Sequence, residues 1–298
     1  MVVGIVLNIG LMRANHEELA ADLTESDLVD YGSKKMADWY DRHKVSATDK
    51  FAMTGAGQLA GLGNLGKSIL ASAGLVISPM ETTVTINPGM RREEIAELLA
   101  VKLNWTPAEV AEFARLEPLC YVDKVEGEYL PGTYTLATYA TPDEVADIMQ
   151  VNFQQELDSM VALLDSNDPV VQTAIKVASL LQREAAGNGD ERIIAGIIWN
   201  RLGVDMKLQL DATLQYAKGQ PGNWWPVPTS EDKYLDSEYN TYQNAGLPPA
   251  PIANPSPEMI LAALNPEVTD CLFYIHAKRE FYCSPDYKGH LRNINRYL

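Results

Sequence analysis

The chain is poor in the residues that hold metals. Of 298 residues only three are cysteine and four are histidine, and no CxxC pair occurs. Structural zinc needs four clustered ligands, so no metal centre and no cofactor is expected. The odd cysteine count favours three unpaired thiols, Cys120, Cys271 and Cys283. A Cys271–Cys283 disulfide is the alternative if the protein is exported. Positive charge is also scarce, with 24 Lys and Arg against 40 Asp and Glu and a formal charge of -16. Nucleic acid is itself a dense polyanion, so it is not an expected partner. Long apolar runs are missing too. The stretch nearest to one, residues 1–12 (MVVGIVLNIGLM), is interrupted only by Asn8 and followed by Arg13. As a helix it would rise about 18 Å, short of a hydrocarbon core of about 30 Å. It shows neither a basic leader nor a small-residue cleavage site. The end of a longer membrane anchor, an interfacial segment and a buried helix all stay open as readings.

What is present suits a globular protein. A hydrophobic fraction of 46% with a mean hydropathy of -0.15 supplies a core without membrane character, and the length suggests two domains. Residues 13–79 read as a stalk or linker, polar with helical pieces at 16–23 and 34–43, then rich in Gly, Ala and Ser at 54–75. Residues 81–86 (ETTVTI) alternate and are β-branched, as in a strand. Asn87-Pro88-Gly89 is turn chemistry, and residues 91–103 have helical spacing. Thr106, Pro107 and Glu109 then supply the N-cap, first position and third position of a second helix. A turn within strand-like residues follows at 127–136, so the order over residues 80–136 is strand, helix, helix, strand. Another helix opens at Thr141-Pro142-Asp143-Glu144 and runs towards residue 164.

The second unit begins with a helix over 170–186, stopped by Gly187, and another over 190–201. Residues 208–257 read as a long irregular region with Trp224-Trp225 and several prolines. A loop of that length in a compact domain is usually functional. A helix at 257–264 and strands at 271–275 and 280–283 complete the reading.

On the helix over 170–186, Val170, Val171, Ala174, Val177, Ala178 and Leu181 share one face. Glu184 lies at the flank of that arc, above Val177 and Leu180. A carboxyl group there is partly desolvated, which raises its pKa and suits it to give a proton near neutrality. A solvated Glu in a last helical turn fits the same geometry. The stretch Gly61-Leu62-Gly63-Asn64-Leu65-Gly66-Lys67-Ser68 matches GxxxxGK(S/T), the phosphate-cradling loop. No buried strand precedes it and no aliphatic run ending in Asp follows, so nucleotide binding is not expected.

The residues around Glu184 carry a more specific signal. ASLLQRE (178–184) is followed by NRL (200–202), LQLDAT (208–213), YNTY (239–242), GLPPAPIANP (246–255) and LNP (264–266). This ordered set resembles the YceG-like family of endolytic murein transglycosylases, and the YNTY and GLPP…ANP pair in this order is the specific part. The resemblance implies an α+β fold: a small LysM-like βααβ subdomain with its connecting helix at 80–150, where LPGTY (130–134) matches a family motif, then a mixed α+β lytic transglycosylase catalytic domain at 151–298. It implies that residues 1–12 are the remainder of a membrane anchor, with the catalytic domain outside the cytoplasm in the cell envelope. It implies Glu184 as the catalytic acid/base, cutting inside peptidoglycan glycan strands to leave 1,6-anhydro ends, beside the cell-wall synthases. Gln209, Asp211, Tyr239, Asn240 and Tyr242 are then candidate substrate-binding residues. Each has a structural counterpart: Asp211 as a cap for a following helix, and the Tyr239, Asn240 and Tyr242 set as a packed loop anchor. Trp224 and Trp225 read either as a glycan platform or as an exposed insertion.

Departures from the family pattern are informative. The first acid of its EKET motif falls on Gln182, and its LQTDPT reads LQLDAT here. Its Gly-His-Thr-Phe reads Lys278-Arg279-Glu280-Phe281, without the histidine. These keep two other readings open, an inactive peptidoglycan-binding scaffold and a hydrolase that uses Glu184, Asp211 and water.

Overall fold

A computed structural model describes residues 80–115, 126–160, 169–185, 187 and 189–298. The N-terminal apolar segment, the polar and Gly-rich residues through 79 with the GxxxxGK(S/T) match, and Cys120 lie outside the described residues. Among the described residues no helix is long and apolar enough to cross a membrane.

The first unit is a two-stranded antiparallel sheet with helices packed on it. Strand β1 (Glu81–Ile86) pairs with β2 (Gly132–Ala137), Val84 opposite Tyr134. Alternation sends Val84, Ile86, Tyr134 and Leu136 inward. Helix α1 (Arg92–Leu103) meets them with Ile95, Leu99 and Leu103, spaced by four so that they share one face. It stops at Asn104, a left-handed cap with φ 54°. Helix α2 (Pro107–Ala114) begins with the expected capping box, in which Thr106 accepts from the Glu109 N–H and Glu109 accepts from the Thr106 N–H. Phe113 lies between the rings of Trp105 and Tyr129, at 5.5 and 5.3 Å. Helix α3 (Pro142–Met160) joins two cores, with Met149 in the small one and Phe153 and Leu157 in the large one.

The large core is helical. Helix α4 (Pro169–Glu184) packs against α5 (Glu191–Gly203), α6 (Asp211–Lys218) and α7 (Pro257–Leu264). A hairpin of β3 (Phe273–Ala277) and β4 (Glu280–Ser284) follows, with Tyr274 opposite Cys283, and helix α8 (Tyr287–Tyr297) lies on it. The segment read as irregular therefore contains α6 and a 3₁₀ turn at Glu231–Tyr234. At eight residues α6 is too short for helical spacing to stand out among flanking turn residues. Helix α8 was not expected either. It is polar overall, but Asp286 caps it through the Gly289 N–H at 2.6 Å and Phe273 packs on Tyr287 and His290.

The cysteines correct the expectation of free thiols. Cys271 and Cys283 form a disulfide with Cα atoms 5.8 Å apart. The register explains it: Cys283 faces Tyr274 across the hairpin, and the chain entering β3 runs alongside β4, Leu272 N–H donating to Ser284 O. That brings the two Cα atoms within bridging distance.

One buried side chain makes four of the bonds that stitch the two units. Asn254 of the GLPP…ANP segment is fully buried. Its Oδ1 accepts from the N–H groups of Gly127 and Tyr129, and its Nδ2 donates to Met90 O and to Glu126. Backbone bonds between Gly89 and Asn254, and between Asn254 and Met90, complete the seam. Gly127 has φ 93°, and a Cβ there would sit 2.6 Å from Pro251 Cβ, so only glycine fits. Burial pushes the Glu126 carboxyl up to about 7, against the Arg92 N–H that bonds its anion.

Asn254→Ala is expected to destabilise the protein by about 3 kcal/mol, because it strands two backbone donors and a buried carboxyl. Chemical denaturation followed by tryptophan fluorescence measures this, and a midpoint within error of wild type would show that the seam contributes nothing.

Candidate active site

Glu184 occupies the last turn of α4, whose apolar residues Val171, Ala174, Val177, Ala178 and Leu181 are fully buried. Their burial fixes the helix in phase and turns Glu184 towards two other elements. Oε1 accepts from the Ala212 N–H at the start of α6, 3.4 Å away. Oε2 accepts from the Tyr274 hydroxyl of β3 at 3.0 Å. The residue retains partial access to solvent, yet its carboxyl is enclosed enough that desolvation dominates and raises its pKa above the ordinary value. The bonds from Tyr274 and Ala212 work the other way. The Asp211 charge adds to the rise and His276 opposes it. A carboxyl held between these influences can both donate a proton and take one back.

The segment facing Glu184 is irregular and is held by Thr241. The Gln209 N–H donates to Thr241 O at 3.1 Å and the Leu210 N–H to Thr241 Oγ1 at 3.0 Å, while the Thr213 and Thr241 hydroxyls bond each other. Gln209 takes a positive φ of 51°, a conformation uncommon for a residue with a side chain, and is exposed at the rim. From the other side Arg201 of the NRL motif donates to Leu272 O and Leu208 O, tying the LQLDAT segment to the hairpin. Its cation acts on Tyr274 and Glu184.

The structure sorts the expected binding residues. Asp211 is the first residue of α6 rather than its cap, and its Oδ1 accepts from the Tyr242 hydroxyl at 2.7 Å. Asp211 and Gln209 are exposed, and Asp211 is sequence-adjacent to Ala212, the residue that contacts Glu184. Asn240 differs from the others. It is fully buried, with its amide donating to Leu235 O and accepting from the Tyr242 N–H, so it anchors its own loop. Tyr239 packs its ring on Tyr216 at 4.7 Å. Trp224 and Trp225 donate their indole N–H groups to Glu97 and Glu94 of α1, and the Arg183 guanidinium covers Trp225 at 3.8 Å. With Met90, Leu98 and Asn223 the two tryptophans line a groove of about 560 Å³ on the α1 side, and Glu184 is not among its lining residues.

Tyr274, Arg201, Asp190 and His276 were not among the expected site residues. Arg201 lies within a quoted motif, and that was its one signal. Tyr274 bonds Glu184, His276 acts on it through its charge and Asp190 holds His276, all through the tertiary fold alone. Among the described residues no group of three or more His, Cys, Asp or Glu side chains could hold a metal ion.

The YceG-like family profile matches residues 15–296. An endolytic murein transglycosylase of Streptococcus pneumoniae serotype 2 (strain D39 / NCTC 7466) is 30% identical over 181 residues, 59% of this chain and 32% of that protein. A protein of the same name from Bacillus subtilis (strain 168) is 27% identical over 238 residues, 72% of this chain and 65% of that one. The chain thus spans about a third of the length of the streptococcal relative. A crystal structure of a YceG-like protein from Listeria monocytogenes superposes with a TM-score of 0.60 at 26% identity, covering 76% of this chain and 80% of the other. The mixed helix-and-sheet architecture is therefore shared with a solved relative.

A folded-state pKa raised above the unfolded value means that the folded protein binds the proton more tightly. Stability from this group is present below the ordinary carboxylate range and is lost as pH rises through the raised value. Glu184→Gln is therefore expected to be more stable than wild type at pH 8, with the difference closing as pH falls towards 4. Denaturation midpoints across that range test it; a variant less stable at pH 8 would show that the carboxyl is not desolvated.

Proposed function

The chain belongs to the YceG-like family, and on that footing we propose that it is an endolytic peptidoglycan lytic transglycosylase with Glu184 as its single acid/base. The observation that carries the reading is the carboxyl of Glu184, desolvated yet bonded on both oxygens by groups from two other elements. Protonated Glu184 gives its proton to the oxygen between MurNAc and GlcNAc as the bond from that oxygen to the MurNAc anomeric carbon breaks. The resulting carboxylate takes the proton of the MurNAc 6-hydroxyl as that oxygen bonds to the anomeric carbon. The product is a 1,6-anhydro end, no water is consumed, and Glu184 returns to its acid form. The substrate's own N-acetyl group can stand in for a second carboxylate. Tyr274 and the Ala212 N–H hold the anion between the two steps.

In this reading Gln209, Asp211 and Tyr242 line the glycan cleft, while Asn240 and Tyr239 support the loop that presents Tyr242. The strand-helix-helix-strand unit is read as LysM-like and as a further surface for the glycan. A disulfide fits an oxidising compartment, in line with a location outside the cytoplasm, in the cell envelope. The N-terminal apolar residues would anchor the chain in the cytoplasmic membrane, where cuts beside the synthases would terminate new strands.

Digestion of purified peptidoglycan with product analysis by mass spectrometry tests the proposal. Wild type is expected to release anhydro-muropeptides, and Glu184→Gln to do so at least about 100-fold more slowly. Reducing ends in place of anhydro ends would show a hydrolase, and no cleavage by wild type would favour a glycan-binding scaffold.

A further inference from the structure

We propose that His276, gripped by Asp190, is a positioning residue of the acid/base site: a ring held against Tyr274, the partner of Glu184, whose charged form stabilises the carboxylate created when the acid gives up its proton. This rests on the reading of Glu184 as the acid/base.

Asp190 is the first observation. It occupies the N-cap position of α5, where an Asp side chain ordinarily accepts from the first N–H groups of its helix. Here it makes no such bond. Its Oδ2 instead lies 2.5 Å from His276 Nε2, so that this nitrogen carries a proton and donates. The Asp190 side chain is only 4% exposed, and its Oδ1 has no hydrogen-bond partner. A carboxylate desolvated to that degree is most effectively offset by a partner that is itself charged.

The second observation is the direction in which the hairpin aims the ring. Residues two apart on a strand share a face, so Tyr274 and His276 of β3 point the same way. Tyr274 donates to Glu184, and the His276 ring stands edge-on to Tyr274 at 5.8 Å and to Phe281 at 5.4 Å. These contacts fix its orientation. Its side chain is 29% exposed, which leaves a route for the second ring nitrogen to exchange a proton. Asp190 ahead of α5 holds its Nε2, Tyr274 on β3 lies against its ring, and its charge acts on Glu184 at the end of α4. Arg201 on α5 acts on the same Tyr274 and Glu184, and Lys278 and Arg279 follow in the turn after β3. The His276 charge favours ionised Glu184 where burial disfavours it.

The arrangement matters because Glu184 must serve in both forms. Burial alone would make it a good acid and leave its anion unsupported. A ring held by a buried carboxylate can support the anion from a fixed position.

Two measurements on the full chain test this. In the first, the His276 ring is titrated by NMR, its resonances assigned by their loss in His276→Gln. Its midpoint is expected to move in Asp190→Asn and in Glu184→Gln, each of which takes away a neighbouring carboxylate. A midpoint unmoved by Glu184→Gln overturns the proposal, and this readout does not depend on turnover. In the second, peptidoglycan cleavage by His276→Gln is expected to show kcat lowered about tenfold, worth about 1.4 kcal/mol, with KM within about twofold. Its alkaline limb moves to higher pH, because Glu184 without the neighbouring cation holds its proton longer. Asp190→Asn, which keeps the shape of the pair, is expected to move the same limb in the same direction. A pH profile that superposes on wild type in both variants, with folding verified by circular dichroism, would reduce the pair to a structural staple. If wild type cleaves nothing, the acid/base reading fails while the NMR titration still decides whether the two groups are coupled.

Discussion

Irregular backbone can be buried only where something answers its N–H and C=O groups. Among the side chains that meet this constraint here, three hold the segments around the site. Asn254 closes the seam between the sheet unit and the helical unit with four hydrogen bonds. Thr241 holds the Gln209–Leu210 backbone with its own carbonyl and hydroxyl. Arg201 ties Leu208 to Leu272. Each bonds segments far apart in sequence, and each uses both its polar groups and its burial. Without them the segments that carry Asp211, Tyr242 and Tyr274 would lose these ties beside α4.

What they fix is the environment of one carboxyl. Helix α4 alone would leave Glu184 in a frayed last turn open to water. The start of α6 and strand β3, brought in by Thr241 and Arg201, both enclose it and bond it. Enclosure favours the acid and the two donors favour the anion. The two effects act on one group in opposite directions. The disulfide belongs to the same construction, because it joins the two ends of the hairpin that carries Tyr274.

Much of this was legible in the sequence, and the boundary of legibility has a physical cause. The capping box at Thr106, the alternation of residues 81–86 and the apolar face beneath Glu184 are local patterns, set by the pleat and by helical periodicity. Helices α6 and α8 escaped because one is short and the other polar, so that packing rather than propensity decides them. The Cys271–Cys283 bridge follows from strand register, which no spacing rule supplies. Asn240 shows the boundary from the other side: the motif allowed either sugar recognition or a packed loop anchor, and burial with bonds to Leu235 and Tyr242 favours the anchor. Asp190 and His276 lie 86 positions apart in sequence, and neither signals the other until the hairpin folds onto α5.

Helical phase also explains why the position that Gln182 occupies is separate from the surroundings of Glu184. Residues 182 and 184 lie two apart on α4, about 200° around the axis, and so face different neighbours. Gln182 Oε1 accepts from the Ser256 N–H at the start of α7, at 2.9 Å. It supports the GLPP…ANP segment, on the side where Gly89 approaches α4 closely enough that a Cβ would meet the Gln182 side chain at 3.3 Å. An acceptor is all that this position requires, and an amide oxygen supplies it as well as a carboxylate does. A second acid there would be turned towards the seam rather than the cleft. Gln182 therefore belongs to the seam, while the Glu184 carboxyl two residues on is the one that α6 and β3 enclose.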